Sequence, residues 1–335
     1  MINAHLSALD YALPAHRVTN AELAQLHRQW RMEQVVLRAG VEERYWCAPG
    51  ETPLDLAEAA CRRLAQRVDL SEVDALLFCT QTPDYPMPPN ACLLQHRLGL
   101  PHTVAALDFA LACSGYIYGL YLAKGLIGAG LARQVLLVTA DAYSKWMHPD
   151  DRGPVTLFGD GAAATLICAG AGDTGLGEFA LRTDGGQMAC FYVPAGGARQ
   201  PASPQTQLPL ADKNGNIRTA QNLLMDGAAV LDFVKQEIPP LVRALLQQAH
   251  LTLDELDLVV FHQASRLALD FLHRALHIAP RQQFENLARV GNTVSASIPM
   301  ALRDAETQGV LRPGMRVMLV GFGVGLSWGG CIVRW

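Results

Sequence analysis

Short runs of nearly continuous apolar residues alternate along this chain with longer stretches of helical patterning. Positions 75–80, 104–110 and 134–140 form such runs in the first half, and 258–263 and 316–322 in the second. Runs of this length predict buried strands. Segments 57–67 and 238–249, ahead of the first run in each half, are helix-like. Buried strands separated by helices predict a largely parallel sheet covered on both faces. Met1-Ile2-Asn3-Ala4-His5 leads straight into an expected first strand, with no charged-then-apolar leader ahead of it. The stretch 184–220, rich in Gly, Pro, Gln and Ser, predicts a long excursion that serves as a lid or an oligomer contact.

The pattern repeats. Leu70-Ser71-Glu72-Val73-Asp74-Ala75-Leu76-Leu77-Phe78-Cys79 is similar to Leu253-Asp254-Glu255-Leu256-Asp257-Leu258-Val259-Val260-Phe261-His262, an offset of 183 residues. Ala132-Arg133-Gln134-Val135-Leu136-Leu137-Val138 is similar to Gly314-Met315-Arg316-Val317-Met318-Leu319-Val320, an offset of 182. Two such offsets, near half of 335 residues, predict duplicated halves, 1–170 and 171–335, and not a short-period solenoid. Chance likeness of apolar strands is the plain alternative. The helix expected after Cys113 contains Gly115, Gly119, Gly125 and Gly128. So much glycine disfavours an isolated helix, which places this one between two sheets, held by packing. Under the duplication Cys113 maps near Ala296 and His262 onto Cys79. The reactive candidates are therefore asymmetric, and a site is expected where the halves meet.

Composition narrows the class. The chain is 50% hydrophobic and 17% charged, with a formal net charge of -4. That is apolar for a soluble protein and predicts extensive burial, internally or in an oligomer. The weak negative charge excludes nucleic-acid binding through bulk positive charge. No apolar run reaches the length of a membrane span. Eight cysteines, at 47, 61, 79, 92, 113, 168, 190 and 331, show no pairing rhythm and no C-x-x-C. Zinc and thioredoxin-like readings therefore have little support, and reduced thiols in the cytoplasm are expected.

Three segments carry candidate chemistry. Asp108-Phe109-Ala110-Leu111-Ala112-Cys113-Ser114-Gly115-Tyr116 ends an expected strand in small residues just ahead of an expected helix. A thiol there sits over the positive end of a helix dipole, which lowers its pKa and favours the nucleophilic thiolate. A lone cysteine more often only fills space. His262, in Phe261-His262-Gln263-Ala264-Ser265, and Asn292, in Gly291-Asn292-Thr293-Val294-Ser295-Ala296-Ser297, complete the set. Alone, His262 reads equally as a satisfied core histidine and Asn292 as a turn residue. The glycines of 321–330 fit neither Gly-x-Gly-x-x-Gly nor a P-loop.

Taken in order, Ala112-Cys113-Ser114-Gly115, Leu157-Phe158-Gly159-Asp160-Gly161-Ala162-Ala163, His262-Gln263-Ala264, Gly291-Asn292-Thr293 and Gly321-Phe322-Gly323-Val324-Gly325-Leu326-Ser327-Trp328-Gly329 make the chain recognisable. It resembles the β-ketoacyl-acyl-carrier-protein synthase III family of the thiolase superfamily, over essentially its whole length. The resemblance implies an α/β thiolase fold of two βαβαβ-type halves in five α-β-α-β-α layers, and a homodimer. It implies that Cys113 takes an acyl group from acyl-CoA or acyl carrier protein. Malonyl-carrier protein then enters and loses CO2, and its carbanion attacks the acyl-enzyme. The amides of Cys113 and Val324 are expected to form an oxyanion hole. His262 through Nε2 and Asn292 through its NH2 are expected to donate to the enolate oxygen. Phe322 is the expected aromatic wall, and neither metal nor cofactor is expected.

Departures from the family pattern bear on substrate. A tryptophan that stacks on the CoA adenine is replaced by Gln34, whereas Arg38 and Arg152 are retained for CoA or carrier binding. The residue after His262-Gln263-Ala264 is Ser265 where the family has asparagine. The basic carrier-docking residue is shifted to Arg266, with Leu267 in its usual place. Met87 takes the place of a phenylalanine that closes the acyl pocket across the dimer, which suits an acyl chain longer than acetyl. Two other readings stay open here: a non-decarboxylating acyltransferase of the same fold, and a silent partner subunit of a heteromeric synthase.

Overall fold

The computed structural model describes residues 3–170, 174–213 and 215–335. Met1 and Ile2, and the expected boundary at 171, lie outside the described residues. Two sheets form the frame. The first has the order Asn3–Ala12, Gly161–Gly170, Gln134–Asp141, Ala75–Cys79, Ala105–Phe109, and the second the order Gly175–Thr183, Ser327–Arg334, Arg316–Gly323, Leu258–Phe261. The orders match place by place. Where the first sheet has Ala105–Phe109, the second has a single parallel bridge between Val259 and Gln283.

The sheets are mixed, which corrects the expectation of a largely parallel one. In the first sheet, Ala75–Cys79 pairs in parallel with both Ala105–Phe109 and Gln134–Asp141. Gly161–Gly170 then pairs antiparallel with Gln134–Asp141 and with Asn3–Ala12. In the second, only Leu258–Phe261 with Arg316–Gly323 is parallel among the described pairs. The antiparallel members are rich in Gly and Ala, as in Gly161-Ala162-Ala163-Ala164 and Trp328-Gly329-Gly330-Cys331. Low intrinsic strand preference hides them from a pattern of apolar runs.

Successive strand residues face opposite ways, and this builds the layers. Leu77, Val135 and Leu137 of the first sheet, with Val260, Val317 and Leu319 of the second, enclose Tyr116, Ile117, Leu120, Ile298 and Leu302. Those five belong to the helices Gly115–Gly128 and Ser297–Thr307, so two helices fill the centre. Leu76, Phe78, Leu136 and Val138 face outward onto the helices Pro53–Leu64 and Asn90–Leu98. Val259, Phe261, Met318 and Val320 face outward onto Gly227–Gln248 and Arg266–Ala275. The result is five layers, helix, sheet, helix, sheet, helix. The glycine-rich central helix lies close to its sheet: a Cβ at Gly119 would stand 2.5 Å from Leu137 Cδ1.

In its described residues the excursion 184–226 contains 3-10 helical turns, the longer Gly185–Cys190, and two-residue strands, among them Leu210–Ala211 paired with Ile217–Arg218. Gly227–Gln248 begins earlier than its pattern suggested and contains Pro239 and Pro240. Among the described residues, no helix is long and apolar enough to cross a membrane.

Candidate active site

Cys113 lies between the strand Ala105–Phe109 and the central helix Gly115–Gly128, in a turn closed by Gly115 N–H donating to Ala112 O at 2.7 Å. Gly323, at the end of the strand Arg316–Gly323, lies directly against it. A Cβ there would stand 2.7 Å from Cys113 Cβ and 3.0 Å from Sγ. Ser327 donates to Val324 O at 3.0 Å and contacts Ser114 Oγ at 2.7 Å, tying the 324–327 turn to the cysteine turn. The amides of Cys113 and Val324 thus belong to two segments held together by the Ser114–Ser327 contact.

The cysteine is 3% exposed, and its electrostatics differ from the sequence expectation. Burial pushes the thiol well above the ordinary range, and the charge of Asp141 pushes it further, against the pull of the cysteine's own backbone N–H. The helix N-terminus lies beneath Cys113, and burial acts against it. Asp141 closes its strand as a buried carboxyl. It accepts Gln81 N–H at 2.8 Å, Ser295 N–H at 3.3 Å and the Ser295 hydroxyl at 2.5 Å. Burial pushes Asp141 up to about 7.

His262 follows the strand Leu258–Phe261 and is anchored by its N–H donating to Val320 O at 2.8 Å. Its Nδ1 is 2.6 Å from Ser297 Oγ. Burial lowers the imidazole to about 3, so it is neutral at ordinary pH. Phe322 meets the ring edge-on, with centroids 5.5 Å apart at 83°.

Asn292 is pinned through its backbone by the Leu157-Phe158-Gly159 motif. Asn292 N–H donates to Leu157 O at 2.9 Å, and Gly159 N–H donates to Asn292 O at 3.0 Å. The side chain is oriented as well: Oδ1 accepts Val294 N–H at 2.9 Å and Nδ2 donates to Ala264 O at 3.2 Å. Nδ2 also stands 3.3 Å from His262 Nε2. Val294, which supplies the orienting N–H, is a β-branched residue at φ 53°, a strained conformation kept beside the site.

Cys113, His262, Asn292 and Phe322 line one cavity of about 90 Å³, together with Phe158, Phe191 and Val234. A wider cavity of about 1190 Å³ adjoins it, with Leu157, Met225, Gly227, Leu231 and Ser265 lining both. Arg38, Arg152 and Gln34 line the outer cavity, as do Arg31, Lys213 and Arg218, which sequence reasoning had not singled out. Arg218 is held by Asp151 at 3.1 Å and Asp212 at 2.8 Å, so the excursion's hairpin forms part of this wall. Arg266 is not among the residues lining either cavity. Its side chain is exposed and packs over Gly40, where an added Cβ would meet Arg266 Cβ at 2.7 Å. Met87 is 82% exposed and lines neither cavity of its own chain.

Ser297 and Asp141 were not assigned from sequence, although Ser297 closes the segment that contains Asn292. Its signal is the duplication: Ser297 begins the second central helix as Gly115 begins the first, 182 residues earlier.

Comparison with known proteins agrees across the chain. The family model described as 3-oxoacyl-[acyl-carrier-protein] synthase III matches residues 107–185, and the model of its C terminal matches 246–335. The chain is 37% identical to beta-ketoacyl-[acyl-carrier-protein] synthase III 3 of Streptomyces coelicolor, over 98% of this chain and 96% of that protein. It is 36% identical to beta-ketoacyl-[acyl-carrier-protein] synthase III of Rhodopirellula baltica, over 96% of each. A crystal structure of a 3-oxoacyl-(acyl-carrier-protein) synthase III shares 44% identity and a TM-score of 0.98, covering 99% of this chain and 100% of that one. This degree of identity over almost the full length shows that the chain belongs to the β-ketoacyl-acyl-carrier-protein synthase III family.

Proposed function

We propose that this condensing enzyme makes a β-ketoacyl product by decarboxylative Claisen condensation, with Cys113 as nucleophile and the His262–Asn292 pair as enolate stabiliser. In the first half-reaction the Cys113 sulfur bonds to the acyl carbon of a thioester. The bond to the donor thiol breaks, and the thiol proton of Cys113 leaves with the departing thiol. The amides of Cys113 and Val324 are suited to hold the transient oxyanion. In the second, malonyl-carrier protein loses CO2 and the electron pair of that bond becomes an enolate. Its carbon attacks the acyl carbon, and Cys113 departs as thiolate and takes one proton from solvent.

The observation that supports this reading is the position of His262 Nε2 and the Asn292 Nδ2 donor, 3.3 Å apart on the cavity that also contains Cys113. Simple acyl transfer to an amine or hydroxyl builds no enolate and has no use for such a pair, whereas non-decarboxylating attack by another carbon nucleophile would use it as well and is told apart by the absence of CO2 release. Arg31, Arg38, Arg152 and Lys213 around the outer cavity suit the phosphates of CoA or of a carrier's prosthetic arm.

The working unit in this reading is a homodimer. The strand Ala105–Phe109 ends its sheet with one pairing edge open, and Leu107 on it is 45% exposed. The loop that follows Thr80, with exposed Tyr85 and Met87, is tied at its far end to the same strand by Asn90 N–H donating to Asp108 Oδ2 at 2.7 Å. A second copy paired there would bury all three, and would leave Met87 to serve its partner's acyl pocket.

The test is intact protein mass after incubation with acyl-CoAs from acetyl to dodecanoyl, beside Cys113→Ala. A Cys113-dependent adduct, discharged by malonyl-carrier protein with release of CO2, is expected. An adduct that persists in Cys113→Ala removes the nucleophile assignment, and discharge without CO2 release points to simple transfer.

A further inference from the structure

We infer that Ser297 is a positioning residue that sets the tautomer of His262, holding the ring proton on Nε2 so that histidine and asparagine act as two converging donors. The inference rests on the enolate-stabilising reading of that pair. The geometry leaves few arrangements. Asn292 turns Nδ2 to the cavity because Oδ1 is held by Val294 N–H, and with one Nδ2 hydrogen given to Ala264 O the other remains for the cavity. The opposing atom, His262 Nε2, carries a proton or a lone pair according to what happens at Nδ1.

At Nδ1 the partner is Ser297 Oγ, 2.6 Å away and 1% exposed. That oxygen already accepts Gln263 N–H at 3.4 Å. Among the described residues, no other acceptor meets the Ser297 hydroxyl proton. A proton on Nδ1 would therefore leave the serine O–H buried without a partner, which is costly. A bare Nδ1 accepts that proton and transfers the ring N–H to Nε2, facing the cavity. There it and Asn292 Nδ2 are both donors and cannot bond each other. A single oxygen placed between them satisfies both, and the thioester oxygen that becomes the enolate is such an acceptor.

The duplication gives this serine its place. Ser297 opens the helix Ser297–Thr307, the counterpart of the helix Gly115–Gly128 beneath Cys113. Both central helices therefore direct their N-terminal ends at the site, one under the nucleophile and one under the histidine. A helix N-terminus disfavours positive charge. The second helix thus favours an imidazole that donates while uncharged, the use made of a neutral histidine in carbonyl polarisation.

The experiment is nitrogen-15 NMR of the histidine-labelled protein, with His262→Gln to assign the ring signals, beside stopped-flow of the two half-reactions in Ser297→Ala and Ser297→Thr. The wild type should show the Nε2-protonated pattern. Ser297→Ala should mix the tautomers, keep Cys113 acylation within about twofold, and slow discharge by malonyl-carrier protein on the order of tenfold with KM little changed. Ser297→Thr, which keeps the hydroxyl, should restore most of the discharge rate. An Nδ1-protonated His262 in the wild type, or discharge by Ser297→Ala at the wild-type rate, overturns the inference. If Ser297→Ala does not fold, the wild-type tautomer alone decides. A wild type that forms no Cys113 adduct refutes the condensing mechanism instead, and the tautomer measurement is unaffected by it.

Discussion

Oδ1 of Asn292 accepts the N–H of Val294 at 2.9 Å, while Nδ2 of the same amide stands 3.3 Å from His262 Nε2. The backbone of a strained residue thus decides which end of the amide faces the cavity. Asn292→Asp puts a carboxylate oxygen where a donor stood, against the developing negative charge. Discharge of the acyl-enzyme by malonyl-carrier protein should fall on the order of a hundredfold or more, with Cys113 acylation retained. Single-turnover mass spectrometry separates the two steps. Equal loss in both would reassign Asn292 to holding the fold.

Gly323 has no room for a side chain because the atoms it would meet are fixed. Cys113 Cβ, 2.7 Å from where an added methyl would stand, cannot rotate away. Gly323→Ala should displace the nucleophile, cost about 1–3 kcal/mol of stability and slow acylation more than tenfold, on the order of the effect of a misplaced reactive group. Gly125→Ala is the control. Nothing lies within 4 Å of an added Cβ there, inside the helix Gly115–Gly128. It should gain about 0.5–1 kcal/mol and leave acylation unchanged. Thermal melts and adduct formation read both variants.

Sequence reasoning succeeded where side-chain type and position carry the same information. The apolar runs around Leu76, Leu136, Val259 and Met318 are buried on both faces, so hydrophobicity alone marked them as strands. Cys113, His262 and Asn292 sit at strand ends or turns bounded by glycine and small residues, which are visible locally. Gly161–Gly170 and Ser327–Arg334 stayed hidden because their neighbours, not their side chains, make them strands. Where Arg266 lies, exposed and packed over Gly40, follows from a contact with a residue 226 positions away, which no local pattern carries. The thiol's acidity depends on how tightly distant segments close over it, which no local pattern reports. Ser297 became visible only once the ring it touches was in place.

Leu107 offers the simplest test of assembly. It lies on the open edge strand and is 45% exposed. Leu107→Arg should disfavour pairing of two such edges through repulsion of like charges. Light scattering after size exclusion is expected to give a dimer for the wild type and a larger monomer fraction for the variant. A monomeric wild type at micromolar concentration removes the dimer from the proposed function.

Asp141 gives the protein a pH dependence whose sign follows from burial. Its carboxyl titrates at about 7 in the folded chain against an ordinary value of 3.8. Between those values the folded state binds the proton more tightly than the unfolded one. This contribution to stability is therefore full below about 4 and is lost as pH rises through 7. Asp141→Asn removes that slope because an amide does not titrate; it still accepts Gln81 N–H and the Ser295 hydroxyl can turn to accept from its NH2, while the Ser295 N–H loses its acceptor. The fall in Tm between pH 5 and pH 8 should shrink by several degrees in the variant. The same charge pushes the Cys113 thiol up, so its removal should make Cys113 more reactive at pH 8. Alkylation of Cys113 by iodoacetamide, followed by peptide mapping to separate it from exposed Cys92, should be several-fold faster in Asp141→Asn. An unchanged alkylation rate with a flattened Tm profile would confine Asp141 to stability and leave the acidity of the nucleophile to burial and the helix beneath it.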